Sequence, residues 1–168
     1  MPAHDDMREA MLAAVPNLRA FAVSLCGDMD RANDLVQETL LRAWAHQDSF
    51  EPGTNMSAWL FTILRDHFRT EYRKRRREVE DADGGYAERL TSPEAQTGHV
   101  EFGELREALV LVGASGFSYE EAAQICDCAV GTIKSRVNRA RKKLAELLTI
   151  ELEHETEVQP EILIRRAV

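Results

Sequence analysis

Cysteine is scarce in this chain, at three residues in 168, and the three do not form a framework. Cys126 and Cys128 stand as Cys-x-Cys, Cys26 is distant, and no histidine pair lies nearby at zinc-ligand spacing, so neither a disulfide scaffold nor a metal site is expected. Small buried fillers is the better account of the thiols. The sequence also reads as lacking an apolar run long enough to span a bilayer, and no charged-then-apolar signal opens it, which predicts no membrane partner and a cytoplasmic protein. Catalytic apparatus is missing too. His4, His46, His67, His99 and His154 are scattered, with no nucleophile or phosphate loop beside them. No catalytic residue, cofactor or small-molecule substrate is expected.

What is present is charge, unevenly placed. The net charge of −8 and pI near 5.2 argue by themselves against nucleic acid. By segment the picture reverses: residues 65–77 carry seven bases and two acids, and residues 131–143 carry six bases and no acid. Two basic patches sit in an acidic frame, which predicts attraction to phosphates at the patches, general repulsion elsewhere, and weak DNA binding outside a larger assembly.

The second patch has the stronger pattern. Ser118 and Glu121, three apart before an apolar run, form a capping-box start for a helix. Ala123, Asp127 and Ile133 fall where a helix-turn-helix wants a small contact residue, a turn residue at positive φ and an inward apolar residue. In the next helix Val130, Ile133, Val137, Ala140 and Leu144 recur as the buried face. That spacing leaves Lys134, Ser135, Arg136, Asn138, Arg139, Arg141, Lys142 and Lys143 outward. The set suits a reader of DNA grooves and phosphates; the bland alternative is a solvated amphipathic helix.

The first half is predicted helical. Met7 to Leu25 carries a helical apolar stripe, with Pro16 leaving room for a kink or break. Asp28 or Asp30 can cap a second helix through Trp44, with Ala32, Leu35, Val36, Thr39, Leu40, Ala43 and Trp44 as its buried stripe. Asp34, Gln37, Glu38, Leu41 and Arg42 then face outward. After a loop, His46 to Thr54, a third helix from about Asn55 is apolar at Trp59, Leu60, Ile63, Leu64 and Phe68. It runs out into Arg69, Arg73, Lys74, Arg75, Arg76 and Arg77. With Phe68 and Tyr72 interleaved, that end suits a DNA strand or, equally in pattern, a solvated helix terminus.

These residues resemble the extracytoplasmic-function sigma factors of bacterial RNA polymerase. Asp34-Leu-Val-Gln-Glu-Thr-Leu-Leu-Arg-Ala-Trp44 is similar to the polymerase-binding helix of region 2. Trp59-Leu-Phe-Thr-Ile-Leu-Arg-Asp-His-Phe-Arg69 is similar to its promoter-melting and minus-ten helix. Val112-Gly-Ala-Ser-Gly-Phe-Ser-Tyr-Glu-Glu-Ala-Ala123 with Gly131-Thr-Ile-Lys-Ser-Arg-Val-Asn-Arg-Ala-Arg141 resembles region 4 of the EcfG group, which serves the general stress response.

The resemblance implies an all-α protein of two small helical domains: region 2 over 1–77, an acidic flexible linker over 78–98, region 4 over 99–150, and a C-terminal tail over 151–168. It implies that Asp34, Gln37, Glu38, Leu41 and Arg42 bind core RNA polymerase, and that the loop Gln47 to Asn55 with Arg65, Arg69, Arg73, Arg75 and Arg76 handles the unpaired minus-ten strand of promoter DNA. Lys134, Ser135, Arg136, Asn138, Arg139, Arg141 and Lys142 would bind the minus-thirty-five element. It further implies a NepR-type anti-sigma factor as inhibitor, displaced by a PhyR-type regulator. A sigma-like decoy that never touches DNA is the nearest rival, and both basic runs speak against it. An ordinary helix-turn-helix repressor leaves the Asp34 to Trp44 helix without a role.

Two departures stand out. Relatives open region 4 with two helices, whereas Val100 to Val112 must here serve for both; either a helix is lacking, which predicts uncovered apolar surface, or the sequence omits a disordered piece. Asp66 stands where many relatives carry Asn.

Overall fold

The computed structural model describes the backbone of residues 2–82 and 93–158 and the side chains of 6–78 and 101–149. Six helices run in order: α1 (Pro2–Cys26), α2 (Met29–Ala45), α3 (Met56–Ala82), α4 (Pro93–Leu109), α5 (Tyr119–Cys126) and α6 (Val130–Val158). A 3-10 turn, Gln47–Ser49, lies before α3, and a π-helical turn, Val110–Ala114, ends α4. The described residues include no strand.

Local chemistry sets the boundaries. Gly27 closes α1 at φ 68, a left-handed position that costs glycine little, and its N–H donates to the Val23 carbonyl at 2.8 Å. Asp28 then caps α2, its Oδ1 accepting from the Arg31 N–H at 2.8 Å, which settles the choice between Asp28 and Asp30. Pro16 is accommodated inside an unbroken α1. Of the expected linker, residues 83–92 lie outside the described residues, while α3 continues through Ala82 and α4 starts at Pro93. The tail expected to fray from 151 is helical as far as Val158, and 159–168 lie outside the described residues.

One expectation about membranes needs correcting. Asp6–Cys26 is long and apolar enough to cross a bilayer by length and composition, with a mean hydropathy of 1.2. Its apolar face has another use here: Leu18, Phe21 and Ala22 are fully buried, and α1 packs on α2 and α3.

The first three helices enclose Leu18, Phe21, Ala32, Leu35, Val36, Leu60 and Leu64, and the last three enclose Leu111, Ala122, Ile125, Ile133 and Val137. These are two ends of one continuous core. Phe61 joins them, stacked on Phe21 at 4.9 Å between centroids and meeting the edge of Phe117 at 4.8 Å and 74°. The π-helical turn makes the second contact possible. The Ser115 N–H reaches the Val110 carbonyl at 2.8 Å and the Phe117 N–H reaches that of Leu111 at 3.1 Å, folding Phe117 back against α3.

A charged contact crosses the same seam. Arg65 of α3 is fully buried, and its Nε donates to Glu107 Oε1 of α4, itself buried. Burial works against the guanidinium's charge, but the Glu107 carboxylate beside it prevails and raises its pKa above the ordinary value. Both terminal nitrogens of Arg65 lack a hydrogen-bond partner. Nearby, Asn55 Nδ2 donates to Glu121 Oε1 at 2.6 Å, tying the loop before α3 to the start of α5.

Removing one member of the buried pair strands the other. Glu107→Ala is expected to lower unfolding free energy by about 3–5 kcal/mol in urea titrations. The joint replacement Arg65→Met with Glu107→Leu should recover most of that loss, because no uncompensated charge then remains in the seam.

Candidate nucleic-acid interface

The helix-turn-helix is assembled by its caps. Ser118 is extended at φ −62, ψ 162; its Oγ accepts from the Glu121 N–H at 3.1 Å, and Glu121 Oε2 accepts from the Ser118 N–H at 2.9 Å. The backbone N–H of Ser118, and then Asn55, hold the Glu121 carboxyl below the usual carboxylate range. At the other end Asp127 is left-handed at φ 48, ψ 55, as the turn position required. Its N–H donates to the Gln124 carbonyl at 3.2 Å and that of Cys128 to the Ala123 carbonyl at 3.0 Å, the two bonds of a Schellman ending. Ala122 and Ala123 are buried, so α6 can cross α5 closely.

On α6, Ile133, Val137 and Ala140 are buried as expected and Val130 is half-buried, but Leu144 is 48% exposed. Leu147 and Leu148 are exposed with Leu144. Phe102 of α4 is uncovered at the same end, under Lys143, whose Nζ lies 5.9 Å from its ring centroid. The apolar surface expected from the shortened opening of region 4 is therefore present.

The outward cations are not all equally free. Lys134, Ser135, Asn138, Arg141 and Lys142 are exposed, with Lys134 Nζ 5.8 Å from the centroid of the Tyr119 ring. Arg136 is largely covered, its Nη2 2.6 Å from Glu104 Oε2 and its Nη1 3.8 Å from Cys128 Sγ. Arg139 is half-exposed, and its Nη1 lies 2.5 Å from Glu101 Oε1.

On α3, Arg73, Lys74, Arg75 and Arg76 are exposed and Arg69 is half-buried. Arg65 departs from expectation. Buried against Glu107, it faces the α3–α4 seam and reaches no surface where a DNA strand could lie while the halves are packed. A signal was available: Arg65 lies four residues after Phe61 and three before Phe68, inside an apolar stripe, and Phe61 was itself left out of the expected face. The loop before α3 is exposed from Glu51 to Asn55, and Phe50 packs on Trp59 with centroids 5.2 Å apart.

The outward face of α2 divides between two hollows. Asp34, Glu38 and Arg42 line a polar one of about 420 Å³ with Arg31, His67 and Arg75. Arg42 Nε lies 2.8 Å from Glu38 Oε1, and that hydrogen bond lowers the Glu38 pKa. Gln37 and Leu41 line an apolar one of about 380 Å³ with Met11, Leu12, Leu40 and Trp44. Trp44, placed in the buried stripe by its spacing, is 44% exposed because it sits at the end of α2, where it borders the α1–α2 groove. Leu12 is 57% and Leu41 67% exposed beside it, which makes this an exposed apolar patch.

A helix-turn-helix with a basic second helix, joined to a second helical unit bearing its own basic helix and an exposed apolar groove, is the architecture of a DNA-binding regulator. Residues 10–78 match the family model for Sigma-70 region 2, and residues 104–144 match that for Sigma-70, region 4. The chain is 65% identical over 162 residues to the ECF RNA polymerase sigma factor EcfG of Rhodopseudomonas palustris (strain TIE-1), an alignment covering 90% of each. The solved structure of the sigma factor RpoE in complex with the anti-sigma factor NepR from Bartonella quintana superposes with a TM-score of 0.72 at 51% identity, covering 86% of this chain and 98% of that one. The anti-anti-sigma factor PhyR from Bartonella quintana aligns with a TM-score of 0.54 at 18% identity, covering 83% of this chain and 46% of that one, a likeness of fold alone. The chain belongs to the extracytoplasmic-function sigma factors of the sigma-70 family, regulatory proteins rather than enzymes, which bind core RNA polymerase and direct promoter-specific initiation.

Thiol chemistry reports on the packing of this site. Burial, and then the Glu107 carboxylate, push the Cys126 thiol up to about 12, and Cys128 is only half-buried. At pH 8 iodoacetamide should therefore alkylate Cys128 well before Cys126, read by peptide mass spectrometry, with the difference lost in denaturant.

Proposed function

We propose that this sigma factor starts transcription of general stress genes in the cytoplasm, as its similarity to EcfG suggests. In this reading Asp34, Gln37, Glu38, Leu41 and Arg42 dock on the clamp helices of the polymerase's largest subunit, and exposed Leu41 beside the α1–α2 groove supports that role. Arg69, Arg73, Arg75 and Arg76 of α3, with the loop Gln47 to Asn55, hold the parted minus-ten strand; flipping a base from the stack costs a few kcal/mol, which these contacts offset. Lys134, Ser135, Arg136, Asn138, Arg139, Arg141 and Lys142 read the minus-thirty-five duplex. Arg65 joins the minus-ten set only when the halves have separated and its pair with Glu107 has opened.

The observation that carries this reading is α6 itself: a capped α5, a left-handed turn at Asp127, then a helix whose outward face from Lys134 to Lys143 bears six cations and no acid. A NepR-type anti-sigma factor is the proposed inhibitor, supported by the RpoE–NepR complex among the similar structures.

Run-off transcription with core polymerase on a promoter carrying the cognate elements tests the assignment. The intact chain should give a promoter-dependent start. Arg136→Ala with Arg139→Ala should cut it at least tenfold, since a bidentate arginine–guanine contact contributes about 1–3 kcal/mol. An unchanged start in that variant would refute the role given to α6.

A further inference from the structure

Three carboxylates on α4 stand three residues apart, and each meets an arginine that the DNA reading needs. Glu101 holds Arg139 at 2.5 Å, Glu104 holds Arg136 at 2.6 Å, and Glu107 holds Arg65 in the seam. The register is matched, because Arg136 and Arg139 are also three apart on α6. A three-residue step advances roughly 4.5 Å along a helix axis, so two antiparallel helices with that spacing can form successive pairs without strain. The same step rotates around α4, and the third acid turns from α6 toward α3. Phe102 extends the cover by lying under Lys143.

The geometry points to α4 as an intramolecular stand-in for nucleic acid, whose carboxylates occupy the guanidinium donors of both DNA-contacting helices until the promoter displaces them. A guanidinium N–H bonded to a carboxylate is not free for a phosphate or for guanine O6 and N7, since the same planar donors serve all three. The outermost pair is built for release. Arg139 and Glu101 are each about half-exposed, at 53% and 51%, where screening keeps an ion pair weak, so a dense row of phosphates can compete. Arg136 is deeper, at 13% exposure, and its pairing with Glu104 is correspondingly harder to displace. Arg141 and Lys142 stay exposed, which leaves DNA a first foothold on α6. The weak solo DNA binding that the acidic frame suggests thus acquires a specific source.

This inference rests on the proposal that α6 contacts DNA, and the test separates the two. The probe is a short fluorescent duplex of mixed sequence, titrated by anisotropy with the full chain over a range of salt. Glu101→Gln with Glu104→Gln should bind several-fold tighter than the unaltered chain. The slope of log affinity against log salt should steepen by about 1.8, the value for two additional phosphate contacts. Glu120→Gln with Glu146→Gln changes net charge equally at two exposed acids, and should give a much smaller gain. Adding Arg136→Ala and Arg139→Ala to the Glu101/Glu104 variant should abolish the gain. Equal gains in the two glutamine pairs, or no gain while Arg136→Ala with Arg139→Ala still weakens the unaltered chain, would overturn the masking role and leave α6 as a DNA contact. No effect of the arginine changes in any background would overturn both.

Discussion

Arg65 carries a full positive charge into the seam between the two helical units, and the side chain that meets it is Glu107. Removing both groups from water costs several kcal/mol per ion, and their attraction roughly repays it, so the pair contributes less adhesion than register. Adhesion comes from Phe61, wedged between Phe21 and Phe117, and from the apolar surface around it. Any sliding of α4 along α3 would strand the guanidinium in an apolar setting. The packed arrangement is therefore set in register by Arg65 with Glu107 and held by the apolar surface centred on Phe61, with the Asn55–Glu121 bond beside it.

That division keeps the electrostatic cost of parting the two units small. Ions that separate into water regain their hydration, which offsets the attraction lost, whereas an apolar pair at the same place would only lose on exposure.

How much was legible beforehand depended on range. The capping box at Ser118 and Glu121, the left-handed turn at Asp127 and the buried run of Ile133, Val137 and Ala140 all follow from residues within a few positions of one another, and each is present. Arg65, Trp44 and Leu144 were misplaced for a common reason: their burial depends on an element distant in sequence. Arg65 is covered by α4, which helical periodicity within α3 cannot reveal. Trp44 and Leu144 have the spacing of a buried stripe and are nevertheless 44% and 48% exposed. For the site, the cations of α6 were identifiable as a set, but their partners were not, because nothing local to α6 points to Glu101 and Glu104.

The shortened opening of region 4 links these observations. A single helix running straight from Pro93 into the π-helical turn must lie along α6 while also reaching α3, and so touches both basic helices at once. Its acids then determine the outcome. With apolar residues at 101, 104 and 107 the same packing would leave Arg136 and Arg139 unpaired beside α4 and Arg65 buried without a counter-charge. With carboxylates there, one helix pairs Arg136 and Arg139 within its own unit and Arg65 across the seam.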